Sequence, residues 1–373
     1  MIPTITALND FEKIGIIGDV HGRIEDLFEA LEIFTDWDAD LLVQLGDFGW
    51  PWPGRAWAAD LDRISNELTR RGQYLLFVDG NHDWIPEISG FPIAEDGVRW
   101  LRSRVGHLPR GSRGFLADGT RTFAALGGAN SIDRQYRNVG TSWWPEESIT
   151  VADLAALGHD PVDVLFSHDA PDGLLKLDAM LESTARHWSA TGLEYAAEGR
   201  RMFSDGLTQV APHLALAGHY HHFVDEYAGF YDRQLDRSFA TRVVVLNKLS
   251  DASTPSLALL DSATLELELL KSSGDYVDAI FPIRELTIAE TGVYMVHTLN
   301  SQYRLNLNER LTVERIPGPN AHPTINDGLR LLRTLDQCRI GGPGRWTMHA
   351  GDDLSDFTWQ RTSTIRHIVC LDP

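Results

Sequence analysis

Six apolar runs recur along the chain, each ending in Gly, Asp, Asn or His: Ile14 to Asp19, Leu41 to Asp47, Tyr74 to Asp83, Phe123 to Asn130, Val162 to His168 and Leu214 to His219. Continuous apolar stretches of this length, bounded by turn residues, read as central strands buried on both faces. Helix-like patterns separate them, among them Arg23 to Phe34 and Trp57 to Arg71. Strand and helix in alternation imply an α/β fold with helices flanking sheet. In such sheets ligands sit beyond the carboxyl ends of the strands, which is where the polar residues gather here.

Three further β-like runs, Arg242 to Asn247, Ser256 to Asp261 and Thr264 to Leu270, complete a second sheet, giving a sandwich of two mixed sheets that closes near residue 272. Residues 172–212 hold few β signals and two helix-forming stretches, Leu174 to Arg186 and Leu193 to Phe203, and read as a helical insertion between two site-bearing loops. From Tyr276 the texture changes. Short strands at Val293 to His297, Tyr303 to Asn306 and Leu311 to Arg315 precede a helix-like Asn326 to Cys338 and the turn Gly341-Gly342-Pro343-Gly344. The expected organisation is a domain over residues 1–272 and a small β-rich C-terminal domain over 273–373, a size at which domains fold alone.

A length of 373 residues accommodates one large and one small domain. The formal charge of -20, from 53 acidic against 33 basic residues, argues against broad attraction to nucleic acid or anionic membrane. No segment approaches the roughly 20 consecutive apolar residues of a membrane helix. Met1 to Lys13 has neither the basic start nor the apolar run of a secretory signal, so the expectation is a cytoplasmic protein. Cys338 and Cys370 are too few for a disulfide scaffold and lack metal spacing, and read as two reduced cysteines.

The chemistry lies in five blocks at the strand ends: Gly18-Asp19-Val20-His21-Gly22, Gly46-Asp47, Gly80-Asn81-His82-Asp83, Ser167-His168 and Gly218-His219-Tyr220-His221. Asp-x-His and His-x-His each place two ligands on one tight turn, and the neighbouring glycines let backbone approach a metal closely. Mixed carboxylate, amide and imidazole donors suit Mn, Fe, Zn or Ni rather than Ca, which takes oxygen ligands. Taken singly, Asp19 and Asp47 have a helix-capping alternative, Asn81 a turn-filling one and each histidine a hydrogen-bonded core one; five ordered blocks are not explained that way.

In order and interval these blocks resemble the calcineurin-like metallophosphoesterase superfamily, with its pattern D-x-H, G-D, G-N-H-[DE], H and G-H-x-H, over about residues 14–222. The resemblance implies that Asp19, His21 and His221 bind one metal, that Asn81, His168 and His219 bind another, and that Asp47 bridges them. It implies two divalent ions, Mn first and Fe, Zn, Ni or Mg as alternatives. Such a pair holds a water between the ions, lowers its pKa and clamps a phosphoryl group for in-line attack by the bridging hydroxide. His82 matches the family histidine that binds no metal but contacts the phosphate and protonates the leaving oxygen. Asp83 is expected to orient the loop or support a ligand.

The opening block is similar to that of protein serine/threonine phosphatases and dinucleoside tetraphosphatases, which continue as GDxxDRG. Here the second block reads Gly46-Asp47-Phe48-Gly49-Trp50-Pro51-Trp52, without the second acid or the phosphate-binding arginine. This favours the phosphodiesterase side of the superfamily. The run Gly127 to Arg137, with Trp143-Trp144-Pro145-Glu146-Glu147, resembles a stretch of bacterial and phage members. In it Arg134 and Arg137 either grip a phosphate oxygen through a bidentate fork or pair with acids such as Asp133 and Glu146. Trp50, Trp52, Trp143 and Trp144 either stack on a nucleobase or pack the core. His222 is left as a flanking residue, and His107 and His159 are placed in surface connections without a role.

The expectation is therefore a two-metal hydrolase of a small phosphorylated substrate, a phosphodiester such as a nucleotide or cyclic nucleotide. The alternatives are a phosphomonoesterase acting on a small metabolite or on protein, and a non-catalytic metal-containing binding module. The C-terminal domain, similar to small β-rich units in high-GC bacteria and their phages, leaves homo-oligomerisation, partner recruitment and covering of the cleft open.

Overall fold

A computed structural model describes residues 4, 6–54, 56–277, 282–319, 321–350 and 356–372. The chain forms two compact units, Met1–Asp225 with Val243–Ile280, and Glu226–Arg242 with Phe281–Pro373.

Two mixed sheets form a sandwich. One orders eight strands as Tyr276–Val277, Leu267–Leu270, Leu257–Asp261, Lys13–Ile17, Leu41–Gln44, Tyr74–Phe77, Val105–His107 and Arg99–Arg102. Its centre is parallel, Ile14 pairing with Leu41 and Leu41 with Tyr74, while Leu257–Asp261 runs antiparallel to Lys13–Ile17. The other sheet orders Val224–Asp232, Arg237–Val245, Leu214–Ala217, Val164–Ser167, Arg121–Leu126 and Ser112–Leu116.

Alternate side chains of the central strands face two different cores, which is why these runs are apolar throughout. Ile14, Ile16, Val43, Leu76 and Val78 meet Phe123, Ala125, Phe166 and Leu216 between the sheets. Ile17, Leu42, Leu75 and Phe77 face the other way, onto Leu27, Leu31 and Phe34 of the helix Ile24–Asp36 and Leu61, Ile64 and Leu68 of the helix Trp57–Arg71. The second of these helices stops at Gly72, whose φ of 78° takes the left-handed turn that ends many helices. Between the strands ending at Ser167 and beginning at Leu214 lie the helices Leu175–Thr184 and Ala190–Val210. No helix among the described residues is long and apolar enough to cross a membrane.

The second unit contains a closed barrel of six strands: Val293–Thr298, Ser301–Asn306, Thr312–Pro317, Gly328–Gln337, Pro343–His349 and Phe357–Cys370. The last strand pairs back onto the first, Val296 against Ile368. Val296, Tyr303, Leu305, Leu332, Cys338, Trp346, Met348 and Ile365 fill its interior. The helix expected over Asn326 to Cys338 is instead the strand Gly328–Gln337. Leu332 and Leu335, three residues apart, read as one helical face, yet both pack on the barrel core. Register shifts between Leu332 and Thr334 and between Leu335 and Gln337 break the strand's two-residue alternation and bring both leucines inward.

Burial, with Glu285 nearby, pushes the Cys338 thiol up to about 12. At pH 8 its alkylation by iodoacetamide in the folded protein is expected to be about a thousandfold slower than that of a free thiol. Site-resolved mass spectrometry measures this, and labelling at the free-thiol rate would contradict the barrel core described above.

Candidate metal centre

Five strand-end loops converge on Asp47. This residue follows Leu41–Gln44 by three positions and is 1% exposed. Its Oδ1 lies 3.3 Å from Nε2 of His168 and accepts from the backbone N–H of His82 at 2.6 Å, while its Oδ2 lies 3.8 Å from Nε2 of His21. Asp19, also buried, places Oδ2 3.2 Å from Nε2 of His221 and 3.7 Å from Nε2 of His21. Its Oδ1 accepts from the backbone N–H of His219 at 3.0 Å. Asp19, His21, Asp47 and His221 offer ligand atoms that all lie within 4.8 Å of one another. On the other side of Asp47, Asn81 Oδ1 is 3.1 Å from Nε2 of His168, and the His219 ring is centred 5.0 Å from that of His168. The seven residues expected to bind metal are thus gathered in one place.

The local backbone is unusual where these donors sit. His21, Asp47, His219 and His221 have φ of 53°, 55°, 70° and 50°, the left-handed region that costs residues with a Cβ and clusters at functional sites. Close approach is equally demanding. A Cβ on Gly80 would lie 2.2 Å from Asp47 Oδ1 and 2.3 Å from the Asp47 backbone nitrogen, and a Cβ on Gly218 would lie 2.2 Å from Asp19 Oδ1.

The donors fit a divalent cation. Asp19 Oδ2 is buried and accepts no hydrogen bond, which is costly for a carboxylate oxygen unless a cation satisfies it. His21 and His221 direct their Nε2 atoms toward each other at 2.7 Å beside that oxygen. The field is that of a cation site as well. Burial opposes ionisation of Asp47, but the imidazoles of His168, His82 and His21 outweigh it and hold the carboxyl well below the usual carboxylate range. Burial likewise opposes a charge on His168, yet Asp47 and Asp19 prevail and push it up to about 10. Burial and the charge on His168 keep His219 well below its ordinary value. His168 Nδ1 is 2.7 Å from the Leu45 carbonyl, a contact that fixes the ring and directs Nε2 at Asp47.

Asp83 accepts from the backbone N–H groups of Gly49 and Gly80, each at 2.8 Å, and so ties the second block to the third. Burial and the Asp47 charge push its carboxyl up to about 7 despite those donors. His82 is half-buried, its ring centred 5.1 Å from that of His21. Burial, with the charges of Arg137 and His21, lowers its pKa against the pull of Asp47.

Of the two candidate arginines, Arg137 reaches this cluster. Its Nη2 lies 2.6 Å from His82 Nε2 and its Nε is paired with Asp133 Oδ1 at 2.7 Å. The two readings of Arg137 are therefore joined, since it pairs with an acid and also touches the site. A guanidinium only donates, so His82 Nε2 is the acceptor and the neutral ring carries its proton on Nδ1. Arg134 is exposed, over the rings of Trp143 at 4.4 Å and Tyr195 at 4.6 Å. Trp50, Trp143 and Trp144 are buried core residues; half-buried Trp52 sits edge-on to Trp144. His107 departs from the surface position expected of it. It is 4% exposed at the end of the strand Val105–His107 and pairs with Asp79 at 3.0 Å.

Mixed carboxylate and imidazole donors on strand-end loops of a two-sheet sandwich make this a metal site of the metallophosphoesterase kind. Residues 12–223, more than half of the chain, match the family model described as calcineurin-like phosphoesterase, and the chain belongs to that family. No curated protein matches the sequence. Similar solved structures include TT1561 of Thermus thermophilus, 14% identical over 70% of this chain and 99% of that one, with a TM-score of 0.42. A dimetal phosphatase from Danio rerio is 13% identical over 82% and 98%, with a TM-score of 0.36. An archaeal phosphodiesterase is 13% identical over 69% and 99%, with a TM-score of 0.28.

Gly80→Ala is expected to push Asp47 away and weaken Mn²⁺ binding at least tenfold while leaving the slow alkylation of Cys338 unchanged. Isothermal titration on the full chain measures the first quantity, and wild-type affinity would contradict the crowding described.

Proposed function

We propose that the protein is a two-metal phosphodiesterase in which Asp19, His21 and His221 hold one cation, Asn81, His168 and His219 hold a second, and Asp47 is shared. The carrying observation is the division of Asp47 between two sides, Oδ2 toward His21 and Oδ1 toward His168. When bound, the two ions supply Lewis-acid charge to a phosphoryl group and lower the pKa of a water between them. Mn is the ion assigned first, with Fe, Zn, Ni or Mg as alternatives. His82 stands beside this centre as the proton donor to the leaving oxygen. In the free protein Arg137 occupies its Nε2; a phosphate oxygen is a better acceptor for that guanidinium and frees Nε2 to take up a proton from solvent and pass it to the leaving oxygen.

Two features support a diester over a monoester. The arginine and second acid of GDxxDRG are replaced by the apolar run after Asp47. The arginine at His82 is already paired with Asp133, which suits a singly charged diester better than a dianion. A nucleotide or cyclic nucleotide is the substrate class we assign. Metal-stripped protein resupplied with Mn²⁺ is expected to hydrolyse bis-p-nitrophenyl phosphate faster than p-nitrophenyl phosphate. His82→Ala should lower kcat by about a hundredfold or more, whereas Arg137→Ala should act mainly on KM. Faster monoester cleavage would assign a phosphomonoesterase, and no cleavage with two ions bound would leave a binding module.

Metal binding should also release protons. His168 holds its proton below about pH 10 in the metal-free protein, and only the neutral ring can ligate. Mn²⁺ affinity should therefore rise with pH, about tenfold per unit for each proton displaced, across the range below pH 10. Titrations in buffers of different ionisation enthalpy count the protons; a count of zero would remove His168 from the ligand set.

A further inference from the structure

The run around Ser131 and the turn at Glu147 are not used by the reading above, yet both end at Asn81. Asn81 Nδ2 donates to Ser131 Oγ at 3.0 Å, and Ser131 Oγ donates to Glu147 Oε2 at 2.5 Å. Glu147 is 1% exposed and also receives the Ser131 backbone N–H at 2.9 Å and the Tyr195 hydroxyl at 3.0 Å, both on Oε1. Burial raises its pKa, while these donors favour the ionised form.

The direction of this relay follows from the hydrogen-bond inventory. A carboxylate with three donors converging on it only accepts, so the single Ser131 proton is committed to Glu147. Ser131 Oγ can then only accept from Asn81. The amide must turn its NH₂ toward Ser131, which leaves Oδ1, the end able to ligate a cation, facing His168. The alternative rotamer would bring a carbonyl oxygen against a hydroxyl oxygen with no proton between them.

The relay is anchored at both ends. Arg110 donates to the carbonyls of Glu146, Glu147 and Ser148 and pairs with Asp79 at 2.6 Å, tying the Glu147 turn to the strand end two residues before Asn81. Asn130 Nδ2 donates to the Tyr195 carbonyl at 2.8 Å, holding the helix Ala190–Val210 at the same place. A Cβ on Gly199 of that helix would meet Asn130 at 2.6 Å.

We infer that Ser131 and Glu147 are positioning residues that fix the orientation of the Asn81 amide and so set the affinity of one cation of the pair. The inference rests on the reading of Asn81 as a ligand, and it gives the loop between the second sheet and the Glu147 turn a role in metal affinity. Outer partners of this sort typically change affinity by about 10- to 100-fold when removed.

The test is Mn²⁺ titration of the full chain, with electron paramagnetic resonance to separate coupled from isolated Mn²⁺, on Ser131→Ala, Glu147→Gln and Ser131→Thr. Glu147→Gln matters because its amide can donate to Ser131, freeing the serine hydroxyl to donate instead to the Oδ1 of a turned Asn81. In Ser131→Ala and Glu147→Gln one cation should weaken about tenfold or more, the other stay within about twofold, and the coupled signal give way to an isolated one. Ser131→Thr, which keeps the hydroxyl, should bind like wild type. Unchanged affinity in both variants would overturn the relay, as would equal loss of both cations with a lowered unfolding midpoint. A wild type that binds fewer than two cations would overturn the two-metal reading and this inference with it. Two cations in wild type with unaffected variants would remove the relay alone.

Discussion

Asp47 keeps its negative charge with almost no water around it, and the surrounding groups are arranged to make that tolerable. Three imidazoles, a backbone N–H and the room left by Gly80 converge on one carboxylate. Removing the backbone N–H or the His168 imidazole from a dry interior leaves charge uncompensated, which is far more costly than the same loss at a surface. The five loops therefore answer to one another through Asp47. The unusual backbone of His21, Asp47, His219 and His221 is a consequence, since each loop must turn sharply to bring a donor to a point another loop already occupies.

Much of this was legible in the chain. A strand buried on both faces cannot hide its identity, because every position must be apolar, and the runs ending at Asp19, Asp47, Asp83, His168 and His219 show it. The residues that gather around Asp47 were legible because a metal site demands particular donors at particular turns. What escaped is of another kind. Glu147 lies 16 residues from Ser131, and nothing in the spacing of a serine and a glutamate announces a hydrogen bond. Arg137 could be read either as an acid's partner or as a site residue because it is both. His107 ends a strand of three residues, too short to register as a periodic run, and so looked like surface.

The barrel shows the limit of periodicity more plainly. Leu332 and Leu335 keep helical spacing and nonetheless lie in a strand, because register shifts reset which face is inside. A reading that counts only spacing cannot foresee where a strand takes an extra residue against its partner, as this one does between Leu332 and Thr334 and between Leu335 and Gln337. The second compact unit also takes in Glu226–Arg242, far from its other residues in sequence.

Closure of the barrel carries its own consequence for association. An open sheet offers a row of unpaired N–H and C=O groups to any extended segment that passes, whether from a partner or from another copy of the chain. Here Phe357–Cys370 returns to Val293–Thr298 and uses those groups internally. Recognition by this barrel must then be written in side chains on its outer surface, where single substitutions can retune it, and not in the backbone hydrogen bonds that any sequence can supply.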